Sequence, residues 1–394
     1  MKIAISGAGI AGPTLAHWLL RAGHAPTLIE QAPRLRAGGY IVDFWGVGFT
    51  IAERMGLLPQ ICDAGYKVRE LRLVDGQGCK AGGFSTELIR ASLDDRFTSI
   101  PRSRLAAEIY RSIEARCEVL FGETVTALSE QEDHVDLTLA KSGHRAFDLV
   151  VGADGQHSAI RRLMFGPEAR FERDIGYRVA AFEADGYAPR DELVYVSHAK
   201  PGRQLARFAE RDGRTMFLFV FTADQLAGPE PRDFGARKAG LRRVFGDFGW
   251  EAPKVLAALD AARDVYFDRV SQIVTPAWSK GRVALLGDAA ACVSLLAGEG
   301  CGLAMTEAYV LAGELARAGT DHARAFRAYE QRLRALIETK QASARKFAGA
   351  FAPRTAFGLW VRNQATKLMA FRPLTEFFLG RDLRDDFDLP DYGL

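Results

Sequence analysis

Gly7-Ala8-Gly9-Ile10-Ala11-Gly12 follows an apolar run, Lys2 to Ser6, and opens a stretch with helical spacing through Leu15, Trp18 and Leu19. Between a strand and a helix, Gly7, Gly9, Ala11 and Gly12 leave the backbone bare enough for a pyrophosphate, and the helix N-terminus favours its negative charge. Glu30 ends the next strand-like run, 18 residues past Gly12, where a carboxylate can accept from ribose hydroxyls. The arrangement predicts a dinucleotide site. A tight turn at the glycines and a solvated strand end at Glu30 are the plainer alternatives, and the motif does not separate NAD from FAD.

Two further segments bear on that choice. Asp148 to Arg162, DLVVGADGQHSAIRR, runs from a strand into Gly152-Ala153-Asp154-Gly155 and a short helix. Gly281 to Gly302, GRVALLGDAAACVSLLAGEGCG, runs from a strand through Gly287-Asp288 into a glycine-rich turn before a helix. An FAD molecule lies extended and must be held at its adenosine ribose, pyrophosphate, ribityl chain and ring. One glycine loop cannot reach all four.

With these motifs in this order and spacing, the chain resembles the class A flavoprotein monooxygenases, the p-hydroxybenzoate-hydroxylase-like family, over nearly its whole length. The resemblance implies that Glu30 holds the adenosine ribose, Asp154 the region of the pyrophosphate and Asp288 a ribityl hydroxyl. Arg102, in IPRSRL, would meet the middle of the cofactor. Gly298, Gly300 and Cys301, in the turn that opens the last long helix, would face the flavin, where a helix N-terminus favours negative charge on the reduced ring. The implied cofactors are noncovalent FAD, NAD(P)H as a transient reductant and O2 as co-substrate, acting through a C4a-hydroperoxyflavin. The chemistry is then the flavin's, and no catalytic side chain is assigned. No second GxGxxG with its own βαβ unit provides a permanent NAD(P)H domain.

Closer resemblance, through GGYIVDFWGVGFTIAERMGLL, VYFDRVSQIVTPAWSKGRVALLGDAA and AYVLAGEL, is to the branch that includes the tetracycline-inactivating flavin monooxygenases. It implies a polycyclic aromatic or polyketide-like substrate to be hydroxylated. Two other functions stay open: a flavoprotein that reduces or oxidises a prenyl-type substrate, and a non-turnover flavin protein that binds a labile metabolite. The chain also departs from the family. Ala291, Leu295, Glu299 and Gly302 replace the usual histidine, proline, glutamine and asparagine. An ionised Glu299 beside the ring would oppose reduction unless it points to solvent or is protonated.

Other chemistry is not supported. The seven histidines include no HExxH and no pair at metal-ligand spacing, so no metal site is expected. There is no GxSxG elbow and no WxWxIP halogenase signature. Cys292 and Cys301 read as small buried residues, not a redox pair.

The elements that position these residues follow from periodicity. Strand, glycine turn, helix and strand over residues 2–30 form one right-handed βαβ unit, so the fold starts as α/β with a Rossmann-like FAD-binding domain. Thr124–Ser129, His134–Ala140 and Ala146–Val151 read as a three-stranded antiparallel meander. From about Gly176 to Thr222, alternating stretches divided by Pro, Gly and Asp turns predict an antiparallel β-sheet. The expected division is 1–172 with 274–340 for FAD, 173–273 for a β-sheet substrate domain and 341–394 for a C-terminal helical segment. Arg178, Phe208 and Phe219 are the candidate substrate residues; Phe182, Arg207, Phe217 and Phe221 share their stretch.

Fifty-two basic against 49 acidic residues leave a net charge of +3 in 394, too balanced for a phosphate-binding surface, so no nucleic-acid partner is expected. Five scattered cysteines and an immediate strand at the N-terminus favour a cytoplasmic protein, and no run is long enough to cross a membrane. The partner implied by the resemblance is a small aromatic molecule; oligomeric state is unknown. Ala344 to Phe378 carries six basic residues (Arg345, Lys346, Arg354, Arg362, Lys367, Arg372) against Glu376, interleaved with Phe347, Phe351, Phe357, Trp360, Phe371, Phe377 and Phe378. That composition suits helices packed over a domain junction, divided at Pro353 and Pro373, or a membrane-surface helix; packing is the reading preferred.

Overall fold

The computed structural model of the protein describes residues 1–35, 40–368 and 387–394. At its centre, β1 (Lys2–Ser6) pairs in parallel with β2 (Ala25–Glu30) on one side and Leu149–Gly152 on the other. The sheet continues to Glu118–Phe121 at one edge and through Val283–Leu285 to the antiparallel Ser279–Lys280 at the other. Ile3, Ala4, Ile5, Leu149, Val150, Val151, Val283, Ala284 and Leu285 are all buried, as expected of parallel strands covered on both faces. Helix α1 (Ala11–Arg21) buries Leu15, Trp18 and Leu19 and packs against the helix Gly300–Ala318, so the C-terminal half returns to complete the cofactor domain. The architecture is the expected one: an α/β Rossmann-like domain, an antiparallel sheet and C-terminal helices.

One strand assignment is corrected. The meander's third strand is Gly143–Phe147; after a single residue the chain re-enters the parallel sheet as Leu149–Gly152. The apolar stretch 146–151 thus spans two strands of different sheets, which periodicity does not divide.

The second large sheet has seven strands, in the order Tyr266–Ile273, Glu172–Asp185, Arg214–Thr222, Arg203–Ala209, Val194–Lys200, Glu70–Val74, Lys80–Ser85. Its last two strands come from a hairpin far upstream, joined in parallel to Val194–Lys200, so the sheet is not confined to 173–273. Side chains alternate across it. Phe182, Phe217, Phe219 and Phe221 face outward onto the helices Phe234–Phe245 and Ala252–Ala261, two elements the sequence reading does not anticipate. Tyr177, Val179, Val220 and Val270 face inward, against Leu296 of the cofactor domain.

The helix His322–Phe351 leads to Ala356–Leu368, which lies on the sheet edge: Thr366 Oγ1 accepts from Gly83 N at 3.2 Å, and Arg362 donates to Gln204 Oε1 at 2.8 Å. Phe357 and Trp360 are exposed on the other side of this helix. Phe371, Arg372, Pro373, Glu376, Phe377 and Phe378 lie outside the described residues, and the packing proposed for them is not described. Residues 387–394 return to the cofactor domain, where Tyr392 covers Gly313 and its hydroxyl donates to Glu314 Oε1 at 2.7 Å. No helix among the described residues is long and apolar enough to cross a membrane, and no cluster of metal-ligating side chains occurs among them.

Candidate functional site

The turn from β1 into α1 is built on glycine. Gly7 has φ +109°, and a Cβ there would fall 2.4 Å from Ala153 O; a Cβ on Gly12 would fall 2.0 Å from Gly7 O. The loop therefore packs directly on the 152–155 segment, which brings Asp154 to the same place. Glu30 is oriented by two amides, Ala8 N to Oε2 and Ala32 N to Oε1, each at 2.8 Å. Its remaining lone pairs can accept from hydroxyl groups.

Asp154 sits beside the loop, with Ser6 Oγ 3.5 Å from its Oδ2, and its carboxylate also binds the segment that follows it. It accepts from Ser158 Oγ, from Ala159 N at 2.7 Å and from Ile160 N at 3.2 Å, capping the helix Ala159–Phe165. Its side chain shapes the wall by holding that helix. Nearby, the exposed His157 reaches Glu168 at 3.0 Å and Asp268 of the large sheet at 3.2 Å.

Arg102, Asp288 and Cys301 converge from three elements. Arg102 begins the helix Arg102–Arg111, with its Nη2 3.5 Å from where a Gly9 Cβ would stand. Asp288 follows Gly287 at the end of the strand Val283–Leu285, and Gly287 packs so closely on α1 that its Cβ would lie 3.2 Å from Ala11 Cβ. Cys301 opens the helix Gly300–Ala318, and although burial raises its thiol pKa, the nearby charge of Arg102 opposes the rise. Gly298 takes φ +72°, and nothing lies within 4 Å of a Cβ on Gly300, so the turn presents bare backbone. Burial pushes the Asp288 carboxyl up, opposed by the attraction of Arg102. Burial works to lower the Arg102 pKa, yet the surrounding Tyr40, Cys301, Asp288 and Tyr266 leave it raised.

Sequence reasoning misses the rest of the wall. Asp43 lines a pocket with Trp45, Gly48, Glu299 and Gly302; burial raises its pKa, and it accepts from Ser99 Oγ at 2.5 Å. Tyr40, Tyr195 and Tyr266 are each half-buried, and burial raises each phenol pKa, so each stays a hydrogen-bond donor at neutral pH. Tyr40 and Tyr266 rings lie 5.7 Å apart, and Trp45 stacks on Phe97 at 6.0 Å. The one available signal was the aromatic content of GGYIVDFW.

Two of the candidate substrate residues are placed elsewhere. Arg178 points to the sheet's outer face and is held by Asp174 at 3.0 Å and Glu230 at 2.5 Å. Phe219, fully buried, packs edge-on against Phe245 of the outer helices. The cause is strand alternation, because odd positions from 217 to 221 all face those helices. Phe208 lies on the inner side, fully buried and edge-on to Tyr66 at 5.2 Å. The Glu299 carboxylate pairs with Lys340 of the helix His322–Phe351.

The cradle fits an extended flavin dinucleotide: bare glycine backbone at two turns, an oriented carboxylate at Glu30, and an enclosed guanidinium and carboxylate between them. Comparison with known proteins agrees. The family described as FAD binding domain matches residues 1–342. A flavin-dependent monooxygenase of Legionella longbeachae is 32% identical over 361 residues, covering 92% of this chain and 88% of that protein. The crystal structure of tetracycline destructase Tet(51) superposes with a TM-score of 0.84 at 28% identity, covering 99% of each chain. That of Klebsiella pneumoniae HpxO, complexed with FAD and uric acid, has a TM-score of 0.76 at 25% identity, covering 93% of this chain and 92% of that one. The chain belongs to the FAD-binding family of flavin-dependent monooxygenases.

Proposed function

We propose that the protein hydroxylates a polycyclic aromatic or polyketide-like small molecule, using FAD, NAD(P)H and O2. The observation that carries this reading is that Arg102 stands against Gly9 of the Glu30-anchored glycine loop and also close to Asp288, Tyr40 and Tyr266. When bound, FAD supplies the redox chemistry, accepting reducing equivalents from NAD(P)H and activating O2.

The chain's own groups bind and orient. Arg102 neutralises cofactor charge, Glu30 and Asp288 accept from sugar and ribityl hydroxyls, and the 298–301 turn directs a helix N-terminus at the cavity. Tyr40, Tyr195 and Tyr266 offer phenol donors, and Asp43 an acceptor, to an oxygen-rich ring system. The likeness to a tetracycline destructase supports that substrate class.

The test measures NADPH or NADH consumption and O2 uptake together, with and without a panel of fused-ring phenols. Substrate-stimulated consumption of both, with one oxygen atom added to the product, is expected. Substrate conversion without O2 uptake would replace this reading by a reductase, and absence of any turnover with every donor would replace it by a binding protein.

A further inference from the structure

The helix Gly300–Ala318 buries Leu303, Met305, Ala308, Tyr309, Val310 and Leu311, yet Glu307 sits among them with 2% exposure. A carboxyl group in such surroundings costs several kcal/mol unless hydrogen bonds compensate. Glu307 Oε2 accepts from Gly287 N at 2.7 Å and from Tyr329 OH at 3.1 Å, while Tyr329 OH also lies 3.3 Å from Leu285 O. Gly287 has φ 62°, ψ −140°, and its carbonyl accepts from Ala290 N and Ala291 N, both at 2.9 Å. The amide bound by Glu307 is thus the one immediately before Asp288, at the point where the strand turns into the cavity wall.

We infer that Glu307 is a positioning residue for the cofactor site: by holding the Gly287 amide, with Tyr329 orienting its carboxyl group, it fixes the turn that aims Asp288. The inference rests on the reading of this cavity as the FAD site. Burial raises the Glu307 pKa to about 8, so at neutral pH it is largely a neutral acid and glutamine is its near isostere. A single acceptor thereby joins the strand Val283–Leu285, the turn and two helices. Leaving the Gly287 N–H without a partner releases the turn towards other backbone angles, and Asp288 with it.

The test is FAD titration of flavin-stripped protein by fluorescence quenching, with apo-protein melting measured alongside. Glu307→Gln is expected to bind FAD within about threefold of the parent and Glu307→Leu at least tenfold more weakly. Glu307→Asp, which keeps the polarity but is one methylene too short, is expected to weaken binding similarly and serves if the leucine variant does not fold. Asp288→Ala/Glu307→Leu should be no weaker than Asp288→Ala by more than about threefold, because Glu307 acts through Asp288. Parent-like binding by Glu307→Leu or Glu307→Asp while Asp288→Ala is weakened would overturn the inference, as would full additivity in the double variant. Loss of affinity matched by an equal loss of apo-protein stability in every Glu307 variant, glutamine included, would reduce it to a core residue. Parent-like binding by Asp288→Ala would instead overturn the reading of the FAD site, and the inference with it.

Discussion

The carboxylate of Glu299 lies 2.9 Å from the ammonium group of Lys340, and the two side chains are only 20% and 12% exposed. At the start of the helix Gly300–Ala318, where most of the surrounding wall is uncharged, the pair presents the cavity with a neutral dipole in place of an anion. Removing either partner alone changes the net charge of this part of the wall by one unit. Glu299→Gln is expected to raise the flavin midpoint potential and Lys340→Met to lower it, with the double variant close to the parent. An electrostatic change of about 1 kcal/mol corresponds to about 20 mV for a two-electron couple. Spectroelectrochemical titration against reference dyes measures it; shifts of the same sign in both single variants would contradict the pairing argument.

Asp288 is enclosed and opposed to Arg102, so its carboxylate can serve as a charged acceptor towards the cofactor. Asp288→Ala should weaken FAD binding by about 1.5 to 3 kcal/mol, the value of a hydrogen bond to a charged group. Equilibrium titration of apo-protein gives this number directly, and unchanged affinity would remove the ribityl assignment.

Gly48 and Gly302 mark a backbone crossing between the helices Gly46–Arg54 and Gly300–Ala318. A Cβ on Gly48 would fall 2.4 Å from Gly302 Cα, whereas a Cβ on Gly302 finds its nearest atom at 3.5 Å. Gly48→Ala should therefore destabilise by about 1 to 3 kcal/mol through overpacking, and Gly302→Ala by much less. Comparative thermal or urea unfolding of the two variants checks the asymmetry.

His157 bridges two carboxylates, and hydrogen bonding to Asp268, partly offset by burial and aided by Glu168, raises its pKa to about 9. The folded value lies above the unfolded one near 6.5. Its contribution to stability is accordingly complete below about pH 6.5 and lost as pH rises through about 9. Urea unfolding at pH 6, 8 and 10 should show a decline that His157→Gln flattens; parallel declines in both proteins would assign it to other groups.

The cofactor half was legible because its determinants are local: the glycine spacing, Glu30 at a strand end and Gly287-Asp288 after a buried strand each occupy a short window. What stayed hidden depends on partners distant in sequence. The pairing of Glu70–Val74 with Val194–Lys200 leaves no periodic trace in either strand. Arg178 reads as a candidate substrate residue until Asp174 and Glu230 are seen around it, and the bonds of Asp154 to Ser158 and two amides are not legible in GADG. Glu307 did leave a signal, as an acid inside CGLAMTEAYVLAGEL, but its meaning required Gly287 and Tyr329 in place.

For directed evolution, the alternation of the strand Arg214–Thr222 sorts a mutagenesis library in advance. Randomising Phe217, Phe219 or Phe221 spends diversity on a layer sealed beneath two helices, where most changes surface as lost expression. Codons for Leu218 and Val220, one step out of phase, alter the side that abuts Leu296 and the cofactor domain. A shift of substrate range is to be screened for at those positions, and a gain in heat tolerance at the others.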